Sequence, residues 1–543
     1  MEYFKQLSRI PRISEGVILN DNYAEVKLTY KDHFETNKKI EKSVVIDLKS
    51  KAIVSSTYID ENLILKDVKL AIFKDSEGIS LSGSGLRKKF EFSDDWGEKF
   101  QGKAKPKLGI FNFDDLSLNL PEGINGFSVG QPVFGPGDTV LFMGVEEEPR
   151  TYGFAFCYNR NMHIYQYHFK SNELKRLTST TISARSPILS PDSSFFIFLG
   201  NPIGGPHFSS SILYRYEFKT QKTTIIVNKV ETPLIGDFPG LFVERLSINC
   251  FTNDTKLIVC VDVASGQVER ISTSESSSCL LDIKKDLIIS SDSSLNSCNE
   301  FVLYSLNNKS QTKFSFPIID NSLKELYSCT FEFVGNSHVL ILQPQKHNGG
   351  PHSSFVNEFY MYPAILAMSG YIVALRSIGY GQKTIDNLVG IIGGSHGGFL
   401  GAFLTAKYPD LYKVCILRNP VIDISNNGAF SDIPDWSFAE AGVEFDQKHP
   451  PVVTPTHFEH LYKSSPISLV DNVKCPTLLL LGRNDRRVPI YQGLNWFYQL
   501  KSKGVKTKLM MFPDTGHSLD SMDAEKFGIQ SILDFLCENM EDE

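Results

Sequence analysis

From about residue 23 to about residue 325, apolar and polar positions alternate in short runs rich in Val, Ile, Phe, Tyr and Thr. A period of two marks a strand with one covered face, and the Gly, Asn, Asp, Ser and Pro between runs supply turns. Residues 139–144, 194–200 and 256–261 are examples. No convincing amphipathic helix interrupts them. A small turn containing Asp precedes each of three strands, at Asp138, Asp192 and Asp254. The intervals are 54 and 62 residues, looser than the ~40–50 of a propeller blade. An Asp in such a turn bonds nearby backbone amides, which explains it without catalysis. The pattern predicts repeated four-stranded blades forming an all-β propeller, with an irregular all-β domain as the alternative.

Beyond about residue 326 the period changes. A helical pattern over 355–368 is followed by a strand at 371–375. A strand at 387–392 leads into a helix at 398–407. Strands at 414–417 and 477–481, a helix at 492–503, a strand at 507–512 and a helix at 523–539 complete the series. Apolar strands alternating with helices predict a doubly wound, mostly parallel sheet covered on both faces. No Gly/Ser-rich linker separates the halves, so the boundary at 325/326 rests on the change of period.

The chain has 543 residues, 41% hydrophobic and 22% charged, which fits a globular protein of at least two domains and excludes a disordered chain. A net charge of −7 gives no reason to expect nucleic acid. No apolar run approaches the ~18 residues of a membrane span, so no membrane partner is expected. The opening Met1-Glu-Tyr-Phe-Lys-Gln-Leu-Ser-Arg-Ile10 lacks the apolar core of a secretory signal. The nine cysteines are dispersed with no C-x-x-C pair, which fits reduced thiols and a cytoplasmic location. On that ground the sequons at Asn253 and Asn308 are chance matches.

Gly393-Gly394-Ser395-His396-Gly397 has the form G-x-S-x-G, between an apolar strand and a helical pattern. That context predicts a nucleophile elbow: a tight turn, crowded by anything but small residues, that lifts the Ser oxygen and aims a helix N-terminus at it. A Ser alcohol needs a base and an orienting acid, which in this fold follow in the order Ser, Asp, His. Asp485 follows the strand at 477–481, and His517 follows the strand at 507–512. Both lie at strand C-terminal ends, where open α/β sheets gather their sites. Asp514 is the competing acid, displaced by position. The amide of His396 is expected in an oxyanion hole, and Asn348-Gly349-Gly350-Pro351 is either its second element or an ordinary turn. The other histidines, including His347, His352, His449, His457 and His460, precede the acid. The chemistry calls for no metal or organic cofactor.

Further phrases carry a resemblance. They are Gly349-Gly-Pro-His-Ser-Ser-Phe355, Ile392-Gly-Gly-Ser-His-Gly-Gly-Phe399, Arg418-Asn-Pro-Val-Ile422, Ser431-Asp-Ile-Pro-Asp-Trp436, Ser464-Ser-Pro-Ile467 and Asp485-Arg-Arg-Val-Pro489. With them the C-terminal half resembles the peptidase domain of acylaminoacyl-peptidases, in the prolyl oligopeptidase family. The likeness is thinner upstream, at Leu7-Ser-Arg9, Asp94-Asp-Trp-Gly-Glu98 and Leu189-Ser-Pro-Asp192. It implies a β-propeller (23–325) capping an α/β-hydrolase domain (326–543), with residues 1–22 packing on the latter as an extension. It implies removal of an N-acylated amino acid from short blocked peptides, and a cytoplasmic homo-oligomer. By position it makes Ser395, Asp485 and His517 a triad, and Gly349 or Gly350 with His396 the oxyanion donors. Arg418 and the loop to Trp436 would shape the acyl-residue pocket, or Trp436 simply packs.

The sequence also departs from that family. The strands at 371–375 and 387–392 should be parallel neighbours joined by a crossover helix. Only Lys383-Thr-Ile-Asp386 lies between the family-like Gly379-Tyr-Gly-Gln382 and the second strand. One strand, at 339–342, precedes the glycines where the family has two, and two propeller strands near 260–263 read as fused. Several segments are therefore expected to be shortened, through an incomplete gene model, a splice form or a rewired member. Two other functions remain: a non-catalytic protein that binds partners through its propeller, and an esterase on the same fold.

Overall fold

The structure is a computed structural model. It describes residues 12–19, 22–32, 38–49, 53–58, 71–74, 95–101, 106–112, 117–124, 126–147, 150–207, 209–228, 234–235, 245–251, 256–272, 277–294, 297–314, 327–334, 337–344, 357–369, 371, 373–376, 389–451 and 453–540. Six antiparallel sheets span 12–58, 71–119, 127–176, 182–227, 234–270 and 277–314. Five have four strands and the second has three, each strand bonded to its neighbour in sequence. These are the blades that the alternation predicts.

The described elements fall into two compact units, one of residues 1–66, 188–199 and 210–383, the other of 67–187, 200–209 and 384–543. In the first, Ile13, Val26 and Val44 of the first blade pack with Ile289, Phe301 and Phe314 of the last. Ile258 packs with Leu280, Ile288 and Val302, and Ile197 and Leu213 with Val259 and Val261. In the second, Leu108 packs with Val129, Phe142 and Tyr167. Asp192 closes its turn by accepting from the Ser194 amide at 3.1 Å. Asp138 instead pairs with Lys170 at 2.6 Å, and Asp254 lies outside the described residues.

Two expectations in this half are corrected. Arg12–Ile18, assigned to an N-terminal extension, pairs with Tyr23–Asp32 and is the first strand of the first blade. A register shift between Ile13 and Glu15 breaks its alternation and hid it. The strands near 260–263 are not fused. Asp262 accepts from the amides of Ala264 and Ser265 at 3.1 and 2.8 Å, and this turn separates Lys256–Asp262 from Val268–Arg270.

Numbering from the C-terminal half, the first unit also holds β1 (Tyr327–Val334), β2 (Ser337–Pro344), α1 (Asn357–Met368) and β3 (Val373–Arg376). β1, β2 and β3 form an antiparallel sheet. Two strands therefore precede the glycines, not one.

The second unit holds β4 (Val389–Gly394), α2 (His396–Lys407), β5 (Tyr412–Arg418), α3 (Ile424–Phe430), α4 (Pro434–Glu440), α5 (Pro455–Lys463), β6 (Thr477–Gly482), α6 (Tyr491–Ser502), β7 (Thr507–Phe512) and α7 (Met522–Met540). The sheet is parallel in the order β4-β5-β6-β7. The expected neighbours β3 and β4 do not share a sheet: β3 bonds antiparallel to β2 and β4 parallel to β5. The physical reason is a short connection: the twelve residues 377–388 are at the lower limit for a parallel crossover, about a dozen residues.

Ala402 and Ala406 of α2 and Trp496 and Leu500 of α6 pack with Cys415, Leu417, Leu479 and Leu481 on one face of this sheet. Val414 meets the same space beside Gly390 as Leu536 and Met540 of α7, on the other face. Leu478, Leu479, Leu480 and Leu481 of β6 are all buried, each worth about 1.5–3 kcal/mol. The strand is therefore fixed in depth, and the loop after it is held to one position.

Candidate active site

The elbow forms because the chain must leave β4 and enter α2 within one residue. Ser395 takes that turn at φ 55° and ψ −120°, a region where non-glycine residues are strained. The turn is so close that a Cβ on Gly393 would stand 2.1 Å from the Gly397 carbonyl oxygen. The Ser395 amide donates to the Arg418 carbonyl at 2.9 Å and its carbonyl accepts from Val421 at 3.3 Å, so the end of β5 and the segment after it hold the strained residue from both sides.

His517 Nε2 lies 2.9 Å from Ser395 Oγ. Its Nδ1 lies 2.8 Å from Asp485 Oδ2. A carboxylate only accepts, so Nδ1 carries the proton and Nε2 is left to accept from the Ser hydroxyl. The Asp485 side chain is fully buried, and its other oxygen accepts from the Val488 amide at 2.8 Å. Asp514 is exposed, and the acid facing the imidazole is Asp485. The arrangement can take a proton from Ser395, hold the imidazolium and return the proton.

Glu98, from the segment at 95–101, sits behind this relay. Its Oε1 accepts from the His517 amide at 3.0 Å and its Oε2 from the Arg486 amide at 3.1 Å. Burial pushes its pKa up. Sequence reasoning gave Glu98 no role. The only signal was its place in the Asp94–Glu98 phrase.

His396 opens α2, so its amide is among those without an intrahelical acceptor. Gly349 and Gly350 lie outside the described residues. Trp436 stands edge-on to the His396 ring at 5.3 Å, and Glu440 Oε1 lies 3.1 Å from His396 Nε2. Both belong to α4, which therefore stands beside the elbow. Arg418 ends β5, and its carbonyl is what the Ser395 amide meets.

Buried charges anchor the start of α4. Asp432 accepts from Arg487 Nε and Nη2 at 2.9 and 3.0 Å and from the Glu98 amide at 2.9 Å. Asp435 Oδ2 accepts from Arg160 at 2.9 Å and Asn159 at 3.2 Å, and lies 2.8 Å from His207 Nε2. Burial opposes charge on Asp435, but Arg160 and His207 outweigh it and hold the carboxyl well below the usual range. His207 Nδ1 lies 3.2 Å from Cys157 Sγ. None of these partners shows a sequence pattern.

Among the described residues, no group of three or more His, Cys, Asp or Glu is placed to hold a metal ion, and no helix is long and apolar enough to cross a membrane.

The Prolyl oligopeptidase family matches residues 367–543, and the Acylamino-acid-releasing enzyme N-terminal domain matches residues 74–328. The acylamino-acid-releasing enzyme of Rattus norvegicus is 29% identical over 518 residues, covering 80% of this chain and 70% of its own. That of Homo sapiens is 29% identical over 512 residues with the same coverage. Among solved structures, Pyrococcus horikoshii acylaminoacyl peptidase superposes with a TM-score of 0.74 at 15% identity, covering 99% of this chain and 98% of its own.

Proposed function

The chain belongs to the prolyl oligopeptidase family of serine peptidases and is a serine hydrolase of the acylaminoacyl-peptidase type, and on that footing we propose that it releases the N-terminal acylamino acid from short N-acylated peptides, with Ser395 as nucleophile. The observation that carries this reading is the relay from Asp485 through His517 to Ser395, at 2.8 and 2.9 Å. Ser395 Oγ attacks the carbonyl of the acylated first residue while His517 Nε2 takes its proton. The tetrahedral oxyanion is met by the His396 amide at the N-terminus of α2, where the helix dipole favours negative charge. We assign the second donor to Gly349 or Gly350. His517 then protonates the departing amine, and the C–N bond breaks. Water repeats the sequence on the acyl-enzyme and frees the acylamino acid. Trp436 walls the pocket for the acylated residue, with Arg418 beside it.

A fluorophosphonate probe and acetyl-amino-acid anilides, run beside simple esters and the Ser395→Ala variant, test the proposal. Labelling and anilide hydrolysis that vanish in Ser395→Ala are expected. Equal turnover of simple esters would make the chain an esterase, and activity retained in the variant would remove Ser395 from the mechanism. One observation favours a second reading: β3 stands outside the sheet of β4. A folded chain that the probe does not label would assign it a non-catalytic role.

A further inference from the structure

One side chain touches two of the three loops that carry the proposed triad, and its backbone lies beside the third. Asn419 follows β5, is 3% exposed and has φ 41°, in the left-handed region that Asn tolerates better than most residues. Its Oδ1 accepts from the Gly482 amide at 2.8 Å. Its Nδ2 donates to the carbonyls of Gly516 at 3.2 Å and His517 at 2.9 Å. Its own amide donates to the Leu480 carbonyl at 2.9 Å. The residue before it bonds the Ser395 amide.

These bonds fix a register. Gly482 starts the loop to Asp485, and its carbonyl accepts from the Asp485 amide at 3.3 Å. Asn419 therefore holds the amide of a residue whose own carbonyl bonds the amide of the acid. His517 is pinned on both sides of its backbone, its amide on Glu98 and its carbonyl on Asn419. The two loops also run very close. A Cβ on Gly482 would stand 2.3 Å from the Gly516 carbonyl oxygen, so no side chain fits between them, and the Asn419 carboxamide bonds both. A carboxamide suits the place because it offers one acceptor and two donors in a plane.

We propose that Asn419 is a positioning residue for catalysis: its carboxamide sets the spacing between the Asp485 and His517 loops and so keeps the imidazole in line with Ser395. The inference rests on the triad reading above, and the test separates the two. In Asn419→Ala all three side-chain bonds are lost. In Asn419→Asp the shape and the acceptor for Gly482 remain, while the donors to the His517 loop are replaced by a repelling oxygen. Displacement of a catalytic group by about 1 Å costs on the order of 10²-fold in rate. Both variants should therefore lose ~10²-fold in kcat and in fluorophosphonate labelling rate, with KM within about twofold of the parent.

The discriminating measurement is a double-mutant cycle on labelling rate with His517→Ala. A residue that acts by placing His517 has nothing left to place once the imidazole is gone, so Asn419→Asp should add no further loss in that background. A full additional loss would make Asn419 a general structural residue and overturn the proposal. Parental kcat in both folded Asn419 variants would overturn it as well. Should Asn419→Ala fail to fold, the isosteric Asp variant carries the test alone. Undiminished labelling in His517→Ala by itself would instead refute the triad reading.

Discussion

Raising the pH should loosen the start of α4 before the sheet beneath it, and His207 is the residue responsible. Burial works against a charge on His207, but its contacts with Asp435 and Cys157 outweigh burial and raise its pKa from 6.5 to about 9. A group whose pKa is raised in the folded state adds stability that is fully present below its unfolded value. That stability is lost as the pH climbs through the folded value. The window therefore runs from pH 6.5 to somewhat above 9. At about 1.4 kcal/mol per pH unit, the loss across it is about 3 kcal/mol. Arg160 keeps its charge throughout, so Asp435 retains one cationic partner and the anchor weakens without breaking. The assay is hydrogen exchange of the amides at 432–440 by mass spectrometry at pH 6.5, 8 and 9.5, corrected for the base-catalysed intrinsic rate. Local opening is the right observable because a chain of two units need not unfold in one step. Protection should fall by roughly 10²-fold in the parent, the equivalent of that free energy. In His207→Gln a donor to Asp435 is retained and the titration is removed, so protection should stay level. The same fall in parent and variant would refute the assignment of the effect to His207.

Two further outcomes follow from strain and from buried charge. Ser395→Gly removes the proposed nucleophile and relieves a positive φ, so it should abolish turnover while stabilising the fold by about 1 kcal/mol. A thermal scan beside Ser395→Ala, which keeps the strain, checks this. Asp432→Ala leaves Arg487 buried without its carboxylate and should cost about 3–5 kcal/mol. Asp432→Leu combined with Arg487→Met should recover most of that loss in the same thermal assay, since neither charge is then stranded.

What the sequence revealed and what it withheld divide along physical lines. The tight turn at Ser395 was legible because a strand-to-helix elbow is a local device, in which small residues, an apolar strand and a helix must be contiguous. The meeting of Asp485 with His517 was legible because parallel strands present their C-terminal ends in a row, so chain order predicts which loops meet. Asp514 was separated from Asp485 only by position, and the buried contact to His517 Nδ1 distinguishes them in the structure. Glu98 was not legible in this way. It reaches His517 across 419 residues, and no periodicity encodes a contact of that span. Arg160, His207 and Asp435 are likewise scattered polar residues that look like surface until the fold buries them. The Arg12–Ile18 strand was missed because a register shift spoiled its alternation. β3 and β4 were expected side by side from the family's pattern, but the twelve residues between them are at the lower limit for a parallel crossover, and β3 bonds to β2 instead.

The span from Glu98 to His517 also has a consequence in time. Domains form as the ribosome delivers them, at ~5–20 residues per second, so the 419 residues between the two take roughly 20–80 s to synthesise. The Glu98 carboxylate waits 388 residues for the Arg486 amide, Asp95 waits 391 for the Arg486 guanidinium, and Arg160 waits 275 for Asp435. The second unit can close only when its last strand and the loop beyond it have emerged. On the proposed mechanism, Ser395 is therefore made well before its base, and hydrolytic competence waits for the loop that carries His517.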